Sequence, residues 1–203
     1  MEEVFPPPLL AYPQVLEGAG FGIRFLARCV DTFLALFVGY GGGILGGFAL
    51  IIMSRANLLP PDWRDRIHTD GIHLGVFVFS LLGNVFYHSV TEGFYGASLG
   101  KMVCKLRVID QNENPCRFKG ALIRSLAYYV DGLFFGCVGY ASMKNSPLQQ
   151  RYGDVWGKTM VVKSKDVPEA SKRPIWFFFI YFVLGVLGEA SLLAFAFVLQ
   201  VKY

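Results

Sequence analysis

Three charges at helical spacing, Arg24, Arg28 and Asp31, stand directly before residues 32–53, a run of twenty-two with no charge at all. Arginine and aspartate in such a place can do two kinds of chemistry. They can lock helices together as a buried ion pair, or they can carry and exchange a proton or cation, because an ionised group in hydrocarbon costs several kcal/mol unless it is partnered. The pair recurs: residues 23–40 and 123–140 are identical at nine of eighteen positions, and Arg24/Asp31 and Arg124/Asp131 keep the same seven-residue spacing. Seven residues is two helical turns, so each pair shares a face at roughly 10 Å separation, too far for a direct bond. Arg28 is the closer helical neighbour of Asp31, but the second copy has Tyr128 in its place. The pattern therefore predicts pairing between segments, Asp31 with Arg124 or Asp131 with Arg24. Glu189 adds an acid as the fifteenth of twenty-seven residues in an otherwise uncharged run, 175–201. It is a candidate proton or cation site, with a buried hydrogen bond as the structural alternative.

The elements that must position these residues are membrane helices. About 20 apolar residues cross a bilayer's hydrocarbon. Residues 32–53, 72–90 and 175–201 are long enough, the second interrupted only by His73, Asn84 and His88 as strongly polar groups. Composition agrees, at 54% hydrophobic and 17% charged residues with a mean hydropathy of +0.44. The fourth candidate, 119–143, is ambiguous, because Asp131 is followed by only twelve uncharged residues before Lys144. It reads either as a single tilted span or as a re-entrant pair of short helices broken through Gly132, Gly136 and Gly139. The fold class is thus an all-α membrane protein with three to four transmembrane or re-entrant helical segments and a small cytoplasmic loop unit that includes a short β-hairpin.

Lysine and arginine counts set the orientation. Residues 91–119 hold five and 144–173 hold seven, whereas the three arginines of the first loop (54–71) are offset by Asp62, Asp65 and Asp70. The positive-inside rule places the N-terminus and both basic loops in the cytoplasm, with Trp63 outside. The pI near 8.9 then reflects topology and calls for no nucleic-acid partner. Residues 1–17 read as a disordered, proline-rich tail and not a cleavable signal, since they open acidic. Residues 164–174 form a polar linker ahead of an additional transmembrane helix at 175–201.

The loops repeat as well. "YGASLGKMVCKLRVID" (95–110) and "YGDVWGKTMVVKSKD" (152–166) both open Y-G-x-x-x-G-K and continue into β-like runs, Leu106 to Ile109 and Thr159 to Val162. A phosphate loop needs four residues between its glycines and a doubly wound surround, and this chain has neither. The two runs are expected to pair and clasp the loops, with residues 110–115 as an exposed turn. Gly39, Gly43 and Gly47 form a small-residue row suited to helix–helix or homo-oligomer contact. The three histidines and four cysteines lack ligand spacing, so no metal, cofactor or catalytic constellation is expected.

"IRFLARCVD", "SLGKMVCKLRVID", "LIRSLAYYVDG" and "RYGDVWGKTMVV" together resemble the RDD family of small, mostly bacterial membrane proteins, over residues 18–163. The resemblance places the family's arginine on Arg24 and its two aspartates on Asp31 and Asp154. It departs at Lys158, where the family commonly runs from glycine straight to threonine, and in the additional helix at the end. It implies a multi-pass protein of the bacterial inner membrane, whose partners are the bilayer and a second membrane protein. Two roles are compatible with it. One is movement of a proton-linked cation or small solute through Arg24, Asp31, Arg124, Asp131 and Glu189, with Arg28 as a further member of the intramembrane charge cluster. The other is a non-transporting assembly or accessory role in which the same charges specify helix packing.

Overall fold

A computed structural model describes residues 16–62 and 74–202. Most of the N-terminal tail and the part of the first loop that holds Trp63 lie outside the described residues. Helix α1 (Phe21–Arg55) begins eleven residues ahead of the uncharged run, so Arg24, Arg28 and Asp31 sit in its first three turns. Its buried residues, Arg24, Ala27, Asp31, Val38, Gly42, Gly46 and Leu50, follow helical spacing. The charges therefore continue the same face that carries the small packing residues. The opposite face exposes Phe33, Phe37, Tyr40, Ile44, Phe48 and Ile52, with Phe37 at 75%. An apolar stripe of this length suits hydrocarbon and not water.

Then come α2 (Leu74–Phe94), α3 (Leu99–Val103), β1 (Leu106–Asp110), α4 (Phe118–Asp131), α5 (Leu133–Lys144), α6 (Tyr152–Trp156), β2 (Thr159–Lys163) and α7 (Ile175–Lys202). Among the described residues, α1 and the segment Glu169–Ala196, which holds most of α7, are long and apolar enough to cross a membrane. The α4–α5 pair passes that test only jointly, and it bends by 110° at the break. It is therefore not one straight span. Gly136, at φ +89°, and Phe134, at φ 51°, supply the left-handed backbone of the break. Helix α7 packs against both α1 and α2. Within the chain the close approach of α1 to α7 uses Gly42, where a Cβ would meet Leu193 and the Ala190 carbonyl, while Gly39 and Gly47 face open space.

Strands β1 and β2 pair antiparallel, with Leu106 opposite Lys163, Val108 opposite Val161 and Asp110 opposite Thr159. They do not form a hairpin, because α4, α5 and α6 intervene. The sheet is the clasp expected of the loops, and Ala19, Ala27, Leu106, Val108, Cys116, Ala121 and Val161 form the core beneath it. Beyond β1, Asp110 Oδ1 accepts from the Asn112 and Asn114 amides at 2.8 and 2.7 Å, which makes 110–115 the tight turn its composition suggests.

The loop repeat is real, but its register differs from the Y-G-x-x-x-G-K match. That match aligns Gly100 with Gly157. In the structure Gly100 corresponds to Gly153, and the true offset is fifty-three residues, the same offset that carries α3 onto α6 and β1 onto β2. A Cβ on Gly100 would lie 1.9 Å from the Ala27 carbonyl oxygen and 2.9 Å from Asp31 Cγ, and one on Gly153 would lie 3.0 Å from Ala127 Cβ and 3.0 Å from Asp131 Oδ2. Lys105 and Lys158, the residues between short helix and strand, adopt φ 54° and 51°. Two related halves thus exist. Each consists of a long helix with an Arg-to-Asp face, a short helix seated on it through a glycine, and one strand. A pseudo-two-fold axis passes between Val108 and Val161.

Candidate functional site: a buried charge cluster between the halves

The two repeat aspartates do not meet the repeat arginines. Asp31 accepts from Ser98 Oγ at 2.6 Å and from the Gly100 amide at 2.7 Å. Asp131 accepts from the Gly153 amide at 3.1 Å. Each carboxylate therefore caps the start of its own half's short helix, where unsatisfied N–H groups and the positive end of the helix dipole favour an anion. The predicted pairs Asp31–Arg124 and Asp131–Arg24 are replaced by these caps, because the short helices lie closer to the aspartates than any arginine does.

Arg24 instead crosses between halves to Asp154, its NH1 2.5 Å from Oδ2, and its Nε donates to the Ala19 carbonyl at 2.8 Å. Asp154 is the third residue of α6. Its Oδ2 also accepts the Arg151 amide at 3.1 Å, and its Oδ1 lies 3.4 Å from Arg124 NH2. The side chain has no exposure. Burial alone would raise the Asp154 carboxyl, but Arg124, then Arg24 and Arg151, hold it well below the usual carboxylate range.

Arg124 sits at the position related to Arg24, and the repeat has Lys101 where Asp154 would be. The symmetry would set two cations together. Glu92, the one acid within α2, resolves the conflict: it lies 3.4 Å from Arg124 NH2 and 2.5 Å from Lys101 Nζ. Burial pulls the Lys101 ammonium below its ordinary value, and Glu92 and Asp31 restore part of that. Glu92 also meets His88 Nδ1 at 3.2 Å, while His88 Nε2 faces Arg28 NH1. Arginine can only donate, so Nε2 is the acceptor and the assigned imidazole proton is on Nδ1, donated to Glu92. Arg28 donates its other NH to Asn84 Oδ1 at 2.7 Å, and its guanidinium lies 3.9 Å from the Tyr128 ring centroid.

Arg24, Arg28, Glu92, Lys101 and Arg124 line a partly open cavity of about 30 Å³, enough for one water. A family model for the RDD family matches residues 18–158. The chain belongs to the RDD family. No curated protein and no solved structure matches it. The three residues that carry the RDD resemblance, Arg24, Asp31 and Asp154, are 6, 2 and 0% exposed: Arg24 and Asp154 pair across the halves, and Asp31 caps α3.

Glu189 makes no hydrogen bond to the RDD cluster, although the charges of Arg28 and Asp31 reach it. It is buried on α7 against Gly83 of α2, where a Cβ would stand 2.8 Å from its Cγ. Sequence reasoning missed Glu92, Lys101 and Asn84 as cluster members and read His88 only as a polar interruption of the second apolar run. A usable signal existed in the spacing of His88 and Glu92, four apart on one helix in a segment with no other acid.

Proposed function

We propose that this RDD-family membrane protein is a non-catalytic, non-transporting assembly or accessory protein, whose buried charges fix two related halves around a cytoplasmic clasp. The observation that carries this reading is the engagement of the acids. Asp31 holds two donors, Asp154 holds Arg24, Arg124 and the Arg151 amide, and Glu92 holds Lys101, Arg124 and His88. A cation entering the cluster would have to displace arginine or backbone donors from nearly every carboxylate it met. The wall that remains is rich in guanidinium, which repels cations. The reading includes a multi-pass topology in the bacterial inner membrane, with the N-terminus and both basic loops cytoplasmic, as lysine and arginine placement favours. The open Gly39 and Gly47 leave a surface for a second copy or another membrane protein.

One observation favours the second reading, movement of a proton-linked cation or small solute. Glu189 is a buried acid in the middle of α7 with no cation within ion-pair distance among the described residues, although the charge of Arg28 reaches it. The test is reconstitution into vesicles loaded with a pH-sensitive dye, followed by sodium or potassium pulses. The assembly reading expects the trace of protein-free vesicles. A cation-dependent pH change that Glu189→Gln abolishes overturns it.

A further inference from the structure

A cavity of about 300 Å³ opens beside the charge cluster, between the start of α1 and the bend of α4 and α5. Its wall combines Phe21 and Phe25 with Arg28, Tyr128, Asp131 and Arg151. Three features of that wall are unexplained by the packing of the protein itself. Arg28 has no carboxylate within ion-pair distance among the described residues, Glu189 acting on it only at longer range; its side-chain partners are His88, Asn84 and the Tyr128 ring. Arg151 reaches Asp154 only at 3.9 Å, a carboxylate already held by Arg24, and its buried Nε has no hydrogen-bond partner. Asp131, 3% exposed, leaves Oδ1 buried without a partner although Oδ2 caps α6.

Two guanidiniums without a close carboxylate and one carboxylate oxygen without a hydrogen-bond donor therefore face one cavity, where Arg151 and Asp131 attract each other through their charges but make no hydrogen bond. We propose that it binds the headgroup of an aminophospholipid, with the phosphoryl oxygens on Arg28 and Arg151 and the primary ammonium on Asp131 Oδ1. Guanidinium matches phosphate through paired N–H donors, and an orphaned buried carboxylate oxygen is satisfied by an N–H cation. A free inorganic anion would satisfy the arginines but leave Asp131 unpaired and bring a second negative charge towards it. The apolar side of the wall suits the acyl chains. Phe21 and Phe25 stack with ring centroids 6.1 Å apart, and α1 continues from them into the exposed stripe at Phe33 and Phe37. The site is independent of whether anything crosses the membrane, so its failure and that of the assembly reading are separable.

The test uses the full chain, purified in detergent, stripped of lipid and titrated with dioleoyl phosphatidylethanolamine, phosphatidylcholine, phosphatidylglycerol or inorganic phosphate. Retained lipid is read by native mass spectrometry and stabilisation by Tm. Phosphatidylethanolamine is expected to bind about tenfold more tightly than the other two lipids, and phosphate to give no comparable shift. Asp131→Asn should remove the preference among lipids while keeping phospholipid binding, and Arg28→Gln with Arg151→Gln should weaken all three. Equal retention by the arginine variant, phosphatidylglycerol bound as tightly as phosphatidylethanolamine, or phosphate protecting as well as lipid would each overturn the proposal. A photo-crosslinker at the half-exposed Phe25 avoids disturbing the charges. It should capture phosphatidylethanolamine in preference, and equal capture of all three lipids would also overturn the assignment.

Discussion

Asp154 is the residue on which both halves depend, since it takes Arg24 from the first and lies beside Arg124 of the second. Removing one member of a buried pair leaves the other charge uncompensated, which costs about 3–5 kcal/mol, whereas replacing both members with apolar groups is often far milder. Asp154→Ala should therefore unfold in detergent at much lower denaturant than wild type, and Arg24→Met combined with Asp154→Leu should recover a substantial part of that loss. Chemical denaturation of the variants measures both. Equal midpoints for Asp154→Ala and wild type would mean that the pair is solvated. The same residue gives a pH signature. Its carboxyl is held below the ordinary 3.8 in the folded state, so the unfolded chain takes up its proton first as acid is added. Its contribution is complete above 3.8 and is lost as pH falls towards the folded value. The stability gap between wild type and Asp154→Asn should be constant from about pH 8 to 5 and close below 3.8.

The short helices α3 and α6 have only five residues each, too few to persist alone. Their stability comes from the aspartates that cap them and from the glycines that let them sit down on α1 and α4. The contact at Gly100 is the tighter, so Gly100→Ala, which drives a methyl to 1.9 Å from the Ala27 carbonyl oxygen, should be more destabilising than Gly153→Ala, whose nearest neighbours, Ala127 Cβ and Asp131 Oδ2, stand 3.0 Å away. Thermal melts of the two variants compare them directly, and a larger loss for Gly153→Ala would contradict the seating described. These contacts also mark the limit of what sequence could reveal. The long helices, the strand runs and the Arg-to-Asp repeat are legible, because apolar periodicity and an eighteen-residue match carry them. The register of the short helices is not. The structural alignment of 98–110 with 151–163 keeps only Gly100/Gly153, Lys105/Lys158 and Val108/Val161, while the misleading one keeps Tyr, Gly, Gly and Lys within seven positions. Nor could spacing pair Asp31 with an amide sixty-nine residues away, or show that Glu92 must compensate for Lys101.

At the scale of the whole molecule, the sheet ties two loops to one side of the membrane. Lys105 accepts the Ser164 amide at 2.8 Å, and Asn112 lies just beyond the other end of β1. Single cysteines at Asn112 and Ser164, in a background with Cys29, Cys104, Cys116 and Cys137 replaced, should respond alike to an impermeant thiol reagent, and both should resist it when it is added outside. Labelling of one alone is incompatible with the paired strands, and labelling of both from outside would invert the proposed orientation. The long reach of the Arg24–Asp154 contact, 130 residues in sequence, has a consequence in time. At about 5–20 residues per second of synthesis, the first helix must enter the bilayer with its arginine unmatched and wait roughly 6 to 26 s for the aspartate that receives it. Until then Arg24 is tolerable only at the headgroup level, near the mouth of α1, where a phosphate can stand in. The depth of that arginine is thus constrained by the order of manufacture as well as by the finished fold.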